Sequence, residues 1–177
     1  MIVNVLQHVL RFAFLVLLQV VVLNHVQWSG YVNPYVYILF VLLLPVETPR
    51  AFQLVLGFIA GITIDMFGDT GGLHAAATVA MSFARPYVLR LLAPRDGYES
   101  EARLSPHTFG LKWFATYLFL SAFIHHFVLF YLEVFRFSEF FITFLKVLLN
   151  TAISVLIMLM GQYLFSRSVN RNERIIG

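Results

Sequence analysis

Apolar runs long enough to cross a bilayer follow one another along this chain, separated by short polar or glycine-bearing breaks. A transmembrane helix takes about 20 predominantly apolar residues, and the pattern predicts six spans. The first covers about residues 12–28. Before it, Asn4, Gln7, His8 and Arg11 recur at helical spacing on one face of an apolar stretch, which suits an interfacial helix or the start of the span itself. Ser29 to Pro34 reads as a turn, and Pro34 opens a second span that ends near Pro45. That run is short, as for a tilted, inset or shielded helix. Glu47-Thr48-Pro49-Arg50 is a polar hairpin. A third span covers about 51–67, and the turn Gly68-Asp69-Thr70-Gly71-Gly72 leads into a fourth at about 73–92, since glycine tolerates the positive φ of tight turns. Ala93 to Gly110 is the one long polar segment. The fifth and sixth spans cover about 111–132 and 140–165, joined by a short loop from Glu133 to Glu139, and the tail begins at Ser166.

Composition agrees with the pattern. Of the 177 residues, 60% are hydrophobic and 12% charged, and the mean hydropathy is +0.82. Such a chain is too apolar for a soluble enzyme, a disordered segment or a nucleic-acid binder. The absence of cysteine removes disulfides, thiol catalysis and Cys-ligated metals. The expected fold is all-α, a single polytopic membrane domain over residues 1–177. No Lys or Arg precedes Arg11, and Gln27-Trp28-Ser29-Gly30 offers no small-x-small site, so a cleaved signal peptide is not expected. With six spans, Arg50, Arg90, Arg95, Arg103, Lys112, Arg167, Arg171 and Arg174 share one side with both termini, and the opposite loops carry Arg136 alone. Basic residues accumulate in cytoplasmic loops, which places both termini in the cytoplasm.

Ionisable groups in hydrocarbon are costly and face the bundle interior. At ~1.5 Å per residue, Gln19, Asn24, His25, Asp65, His74, His125, His126, Lys146 and Asn150 all fall at outer-leaflet depth, whereas Arg11, Glu47 and Arg85 belong to the inner half. Thr143, Lys146, Asn150, Ser154 and Gly161 form one stripe of the sixth span that should face protein. Asp65 is expected to pair with Lys146 or a nearby His, a structural ion pair being favoured over a ligand site, a proton path or catalysis.

Gly57, Gly61 and Asp65 repeat every four residues on the third span. The fourth answers with Gly72, Ala76, Ala80 and Ala84, and with Ala75, Ala77, Thr78 and Ser82. Small residues at this spacing let backbones approach closely, so the two spans should form a tight hairpin. Catalytic motifs fail on inspection. Asp69-Thr70-Gly71 matches an aspartic-protease tripeptide, but that chemistry needs two carboxylates sharing a proton in a β-rich fold. Met66-Phe67-Gly68-Asp69 lacks the first glycine of the intramembrane GxGD pattern. Adjacent His125 and His126 diverge by about 100° on a helix. No HExxH, Gly-x-Ser-x-Gly or phosphate-binding lysine loop occurs. No catalytic, cofactor-binding or metal-binding residue is assigned.

The run from Gly57 through Gly61, Asp65, Gly68 and Gly72 to His74 resembles the central signature of the bacterial rod shape-determining protein MreD family: glycines at four-residue spacing, an aspartate, then a glycine-containing turn opening the next helix. The resemblance covers the whole chain in layout and Gly57 to His74 in motif. It implies a non-enzymatic inner-membrane part of the cell-elongation machinery, working beside MreC, the actin-like MreB, the glycosyltransferase RodA and a penicillin-binding transpeptidase. It also implies a fold similar to the substrate-binding S components of energy-coupling-factor vitamin transporters, hence an alternative role as a small-molecule uptake subunit. Gly57, Gly61, Asp65, Gly68, Gly72 and His74 carry over as a packing or partner-contact seam. Gln19, Asn24, His125, Lys146 and Asn150 form the candidate outer-leaflet polar cluster.

Overall fold

The computed structural model describes residues 2–25, 32–99, 103–135 and 139–173, with side chains described from 6 to 164 within those ranges. Among the described residues every regular element is a helix. Helix α1 (Ile2–Leu17) continues through one wide π turn (Leu18–Val22) and one tightened 3-10 turn (Leu23–His25). Next come α2 (Leu39–Leu42), α3 (Arg50–Gly68), α4 (Leu73–Leu91), α5 (Pro106–Phe109), α6 (Leu111–Val134) and α7 (Phe140–Glu173). Four helices are long and apolar enough to cross a membrane: Leu6–His25, Arg50–Gly68, Leu111–Val134 and Phe140–Leu164. Helix α4 matches α3 in length but is diluted by His74, Arg85 and Arg90, and it packs between α3 and α6.

Two expected boundaries move. Of the two readings of the stretch before residue 12, the structure gives the start of the span: α1 begins at Ile2 and the apolar helix at Leu6, while its expected end and the turn at 29–31 lie outside the described residues. The tail from Ser166 continues α7 as helix to Glu173. The loop at 133–139 is described only in part, and Arg136 and Arg174 lie outside the described residues.

The largest departure is the second span. Residues 33–36 are irregular, a turn follows at 37–38, and only Leu39–Leu42 is helical. Pro34 has no N–H and biases Asn33 away from helix, and Tyr35-Val36-Tyr37-Ile38 is a β-prone run. This segment is the most buried part of the chain: Val36, Tyr37, Ile38, Val41 and Leu42 are at most 3% exposed. Irregular backbone at membrane depth is tolerated where protein surrounds it, and α1, α3, α4, α6 and α7 do so here. Tyr35 lies beside His74 at the start of α4, with ring centroids 5.0 Å apart. Leu44 meets Arg85, eleven residues further along α4. That is about 16 Å of helix rise, which nine residues of the less compact segment cover.

The α3–α4 hairpin forms as expected. Asp69 (φ 52°), Gly71 (φ 60°) and Gly72 (φ 97°) turn the chain in the left-handed region. A Cβ on Gly61 would stand 2.4 Å from the Cα of Ala75 and 2.5 Å from the carbonyl oxygen of His74. The two backbones therefore touch there. The face of α4 at the seam is Ala75, Thr78 and Ser82. Of the other predicted row, Ala76 is exposed and Ala80 and Ala84 are half-buried.

Candidate functional site

The polar side chains inside the bundle form two groups, one at each end of the buried segment. At the first end, Asp65 reaches from α3 across the start of α4. Its carboxylate accepts the backbone N–H of His74 at 3.0 Å and of Ala75 at 2.8 Å. It also accepts the Thr70 hydroxyl and the His74 Nδ1–H, the latter at 3.1 Å. Helix N-termini carry unpaired amides and partial positive charge. Gly72, the residue in the capping position of α4, has no side chain to serve them, so the neighbouring helix does. Of the two partners expected for Asp65, Lys146 or a nearby His, the structure supplies the His, His74, together with Thr70 and two backbone amides. Lys146 is 3.4 Å from Glu133 and lies over the Phe130 ring, 4.6 Å from its centroid. Its long side chain follows the bundle surface to a carboxylate at the end of α6.

Most of the remaining cluster serves the irregular segment. Gln19 donates to the carbonyl oxygen of Pro34 at 3.1 Å and accepts the N–H of Val36 at 2.8 Å, reproducing a pair of strand-type hydrogen bonds with one amide. Its Nε2 also donates to Asn24 at 3.0 Å. The wide turn at Leu18–Val22 breaks the helical register where Gln19 turns inward. Asn150 accepts the N–H of Asn33 at 2.6 Å, and Ser154 accepts that of Tyr35 at 2.9 Å. Every freed N–H from Asn33 to Val36 thus has a side-chain acceptor from α1 or α7, Pro34 having none to offer. His25 is exposed and stays outside the cluster.

The hydrogen-bond network orients the histidines. Thr78 gives its hydroxyl proton to the carbonyl of His74, so the Tyr37 hydroxyl donates to Thr78 at 2.7 Å. The Tyr37 oxygen then accepts from His125 Nε2 at 2.8 Å, and His125 Nδ1 keeps its lone pair. His74 donates through Nδ1 to Asp65, which leaves Nε2 as the ring nitrogen on the far side. His74 Nε2 and His125 Nδ1 are buried and have no hydrogen-bond partner in the chain. The rings of Tyr35 and Tyr37 each lie within 6.1 Å of both imidazoles. His126 donates to the carbonyl of Ala122 at 2.7 Å and meets Ser154 at 3.3 Å. Among the described residues no three His, Asp or Glu side chains are placed to hold a metal ion.

At the other end, Arg85 is fully buried. Its Nε donates to the Tyr117 hydroxyl at 2.9 Å, and Nη2 donates to the carbonyl of Leu44. Tyr117 donates in turn to the carbonyl of Leu42 at 2.9 Å. The guanidinium makes no ion pair among the described residues; Nη2 and Nε are taken by the Leu44 carbonyl, two residues past α2, and by Tyr117, while Nη1 is buried without a hydrogen-bond partner. Sequence reasoning placed Arg85 at this depth without giving it a task; it put Ser154 on the protein-facing stripe, Thr78 on the face of α4 and Thr70 in the turn, and it passed over Tyr37 and Tyr117. A charged residue in the middle of the fourth span was the available signal for Arg85.

The carried-over seam divides. Gly57 and Gly61 are close-packed against α4, a Cβ on Gly57 falling 2.2 Å from Ser82 Oγ. Gly68 meets nothing nearer than 3.6 Å, and Gly72 serves by its positive φ. Asp65 and His74 lock the turn. No family model, curated protein or solved structure matches the chain.

Proposed function

We propose that this chain is a non-enzymatic scaffold of the bacterial cell-wall elongation machinery. In this reading it has six spans in the inner membrane and both termini in the cytoplasm. The four long apolar helices would be joined by α4 and by the segment around α2, whose irregular backbone lets a short run reach across. The partners would be MreC, RodA, MreB and a penicillin-binding transpeptidase, as the Gly57-to-His74 resemblance implies.

The observation that carries the non-catalytic part is the use made of the polar groups. Asp65, Gln19, Asn150, Ser154, Tyr117 and Arg85 direct their hydrogen bonds at this chain's own backbone. Groups committed to holding a fold are poorly placed to exchange protons or ligands during a cycle. A rigid bundle with an apolar outer face, where Phe141, Ile142, Leu145 and Leu156 are exposed, suits a protein that works by contact.

A second reading, the substrate-binding subunit of a small-molecule transporter, draws on two buried imidazole nitrogens, His74 Nε2 and His125 Nδ1, that have no hydrogen-bond partner in the chain. Crosslinking in cells followed by purification separates the two. Recovery of MreC or a penicillin-binding protein supports the scaffold, and recovery of an ATPase pair overturns it in favour of transport. Topology is tested with a cysteine at exposed Asp96. Labelling by an impermeant thiol reagent in intact cells would overturn the cytoplasmic placement.

A further inference from the structure

The end of the α3–α4 hairpin opposite the glycine turn carries two arginines against one aromatic ring. Arg50 opens α3 and Arg90 lies in the last turn of α4. Their guanidinium carbons are 5.5 Å and 5.9 Å from the centroid of Tyr87. Both arginines are exposed, and Tyr87 is half-exposed. Neither makes an ion pair among the described residues, and Glu47, three residues before Arg50, bridges to neither. Two like charges held by one ring repel each other, and the attraction of each to the ring face is modest, about 0.5–1 kcal/mol at exposed sites. An anion between or beside them removes the repulsion and receives forked N–H donors that match phosphate oxygens.

The surroundings select the kind of anion. On the same hairpin Phe83, one helical turn before Tyr87 on the same face of α4, is exposed, as is Val55 on the outer side of α3. Phe83 contacts Tyr87, with ring centroids 5.8 Å apart. Trp113, hydrogen-bonded to the carbonyl of Leu92 at 2.6 Å, and Tyr98 lie at the same end, as aromatic residues do at a membrane–water boundary. A charged head site beside exposed apolar surface fits a molecule with a phosphate head and acyl chains. We infer that Arg50, Tyr87 and Arg90 form a binding site for an anionic phospholipid, the guanidiniums taking the headgroup phosphate and the exposed apolar surface at Phe83 and Val55 taking the chains.

The test uses the purified full chain alone, so its result does not depend on the scaffold reading. The protein in detergent is offered an equimolar mixture of phosphatidylglycerol and phosphatidylcholine, and bound lipids are counted by native mass spectrometry. Phosphatidylglycerol should be enriched several-fold, and R50Q/R90Q should bring the ratio close to one with an unchanged melting temperature. An enrichment that survives R50Q/R90Q overturns the site. Wild-type protein gives a second reading that needs no variant. Screening shortens from about 10 Å at 0.1 M salt to about 3 Å at 1 M, so enrichment should fall across that range, and a salt-independent preference also overturns the proposal. Inorganic phosphate at the lipid's concentration should displace little phosphatidylglycerol. Full displacement would make this a site for free phosphate and overturn the lipid assignment.

Discussion

Asp65 and Ala75 belong to different helices, yet the carboxylate Oδ2 of the first accepts the backbone N–H of the second at 2.8 Å. This contact and the close approach at Gly61 fix the α3–α4 hairpin from both sides of the turn. One pulls the start of α4 onto α3, and the other lets the backbones come near enough for the carboxylate to reach. A capping carboxylate borrowed from a neighbouring helix makes the start of α4 depend on tertiary packing rather than on its own residues.

Asp65→Asn should therefore lower the melting temperature of the purified protein. The replacement amide turns one acceptor into a donor that faces backbone N–H groups, and each buried group left unsatisfied costs about 1–3 kcal/mol. Lys146→Met should not relieve the loss. Lys146 pairs with Glu133, so the two effects should add within about 0.5 kcal/mol. Rescue by Lys146→Met in the double variant would overturn the capping role.

Gly61→Ala should be disproportionately harmful for one added methyl group. Its Cβ would meet α4 backbone at 2.4–2.7 Å, and backbone cannot step aside as a flexible side chain can. Overpacking of this kind costs about 1–3 kcal/mol, and Gly61→Leu should prevent accumulation of the protein. Gly68→Ala, with nothing nearer than 3.6 Å, is the matched control and should be mild. Equal melting temperatures for Gly61→Ala and Gly68→Ala would remove the close-contact argument.

Gln19→Leu should destabilise by more than its size suggests. It leaves the Pro34 carbonyl and the Val36 N–H without the partner they share, at about 1–3 kcal/mol for each orphaned group. Gln19→Glu keeps an acceptor for Val36 and should retain part of the stability at neutral pH. Thermal melts of the three proteins in one detergent decide it. A Leu variant as stable as wild type would mean the segment does not need the clasp.

Tyr98 gives a prediction in pH. It lies in the loop after α4, donates to the carbonyl of Leu89 at 2.6 Å, and burial pushes its phenol up to about 12. An unfolded tyrosine ionises near 10, so the folded state retains its proton where the unfolded state has lost it. Its contribution is then full below pH 10 and is lost as the pH rises towards 12. Melting temperature should fall over that interval, and Tyr98→Phe should flatten the fall while lowering stability at neutral pH. A phenol that titrates near 10 in the folded protein, followed by ultraviolet difference absorbance against Tyr98→Phe, would contradict this.

The chain's own pattern decided where the long helices are and which residues turn them. Apolar length alone located α3, α6 and most of α7, because a bilayer core imposes nearly the same requirement on every span. Four-residue spacing of Gly57 and Gly61 announced the close hairpin, since helical periodicity puts such residues on one face whatever they pack against. The polar residues in the spans were visible as a set, because charge and amide groups in hydrocarbon stand out against their neighbours. What they bind was not visible. Periodicity gives the face and depth of Asp65, but its partners are amides of another helix, and backbone amides leave no mark in a sequence. Residues 34–45 looked like a short helix because apolarity does not distinguish helix from buried irregular chain. Only the bundle could decide that, by offering Gln19, Asn150, Ser154, Tyr117 and Arg85 to the backbone groups of that segment. Without those donors and acceptors, hydrocarbon would have forced it into a helix to satisfy its own hydrogen bonds.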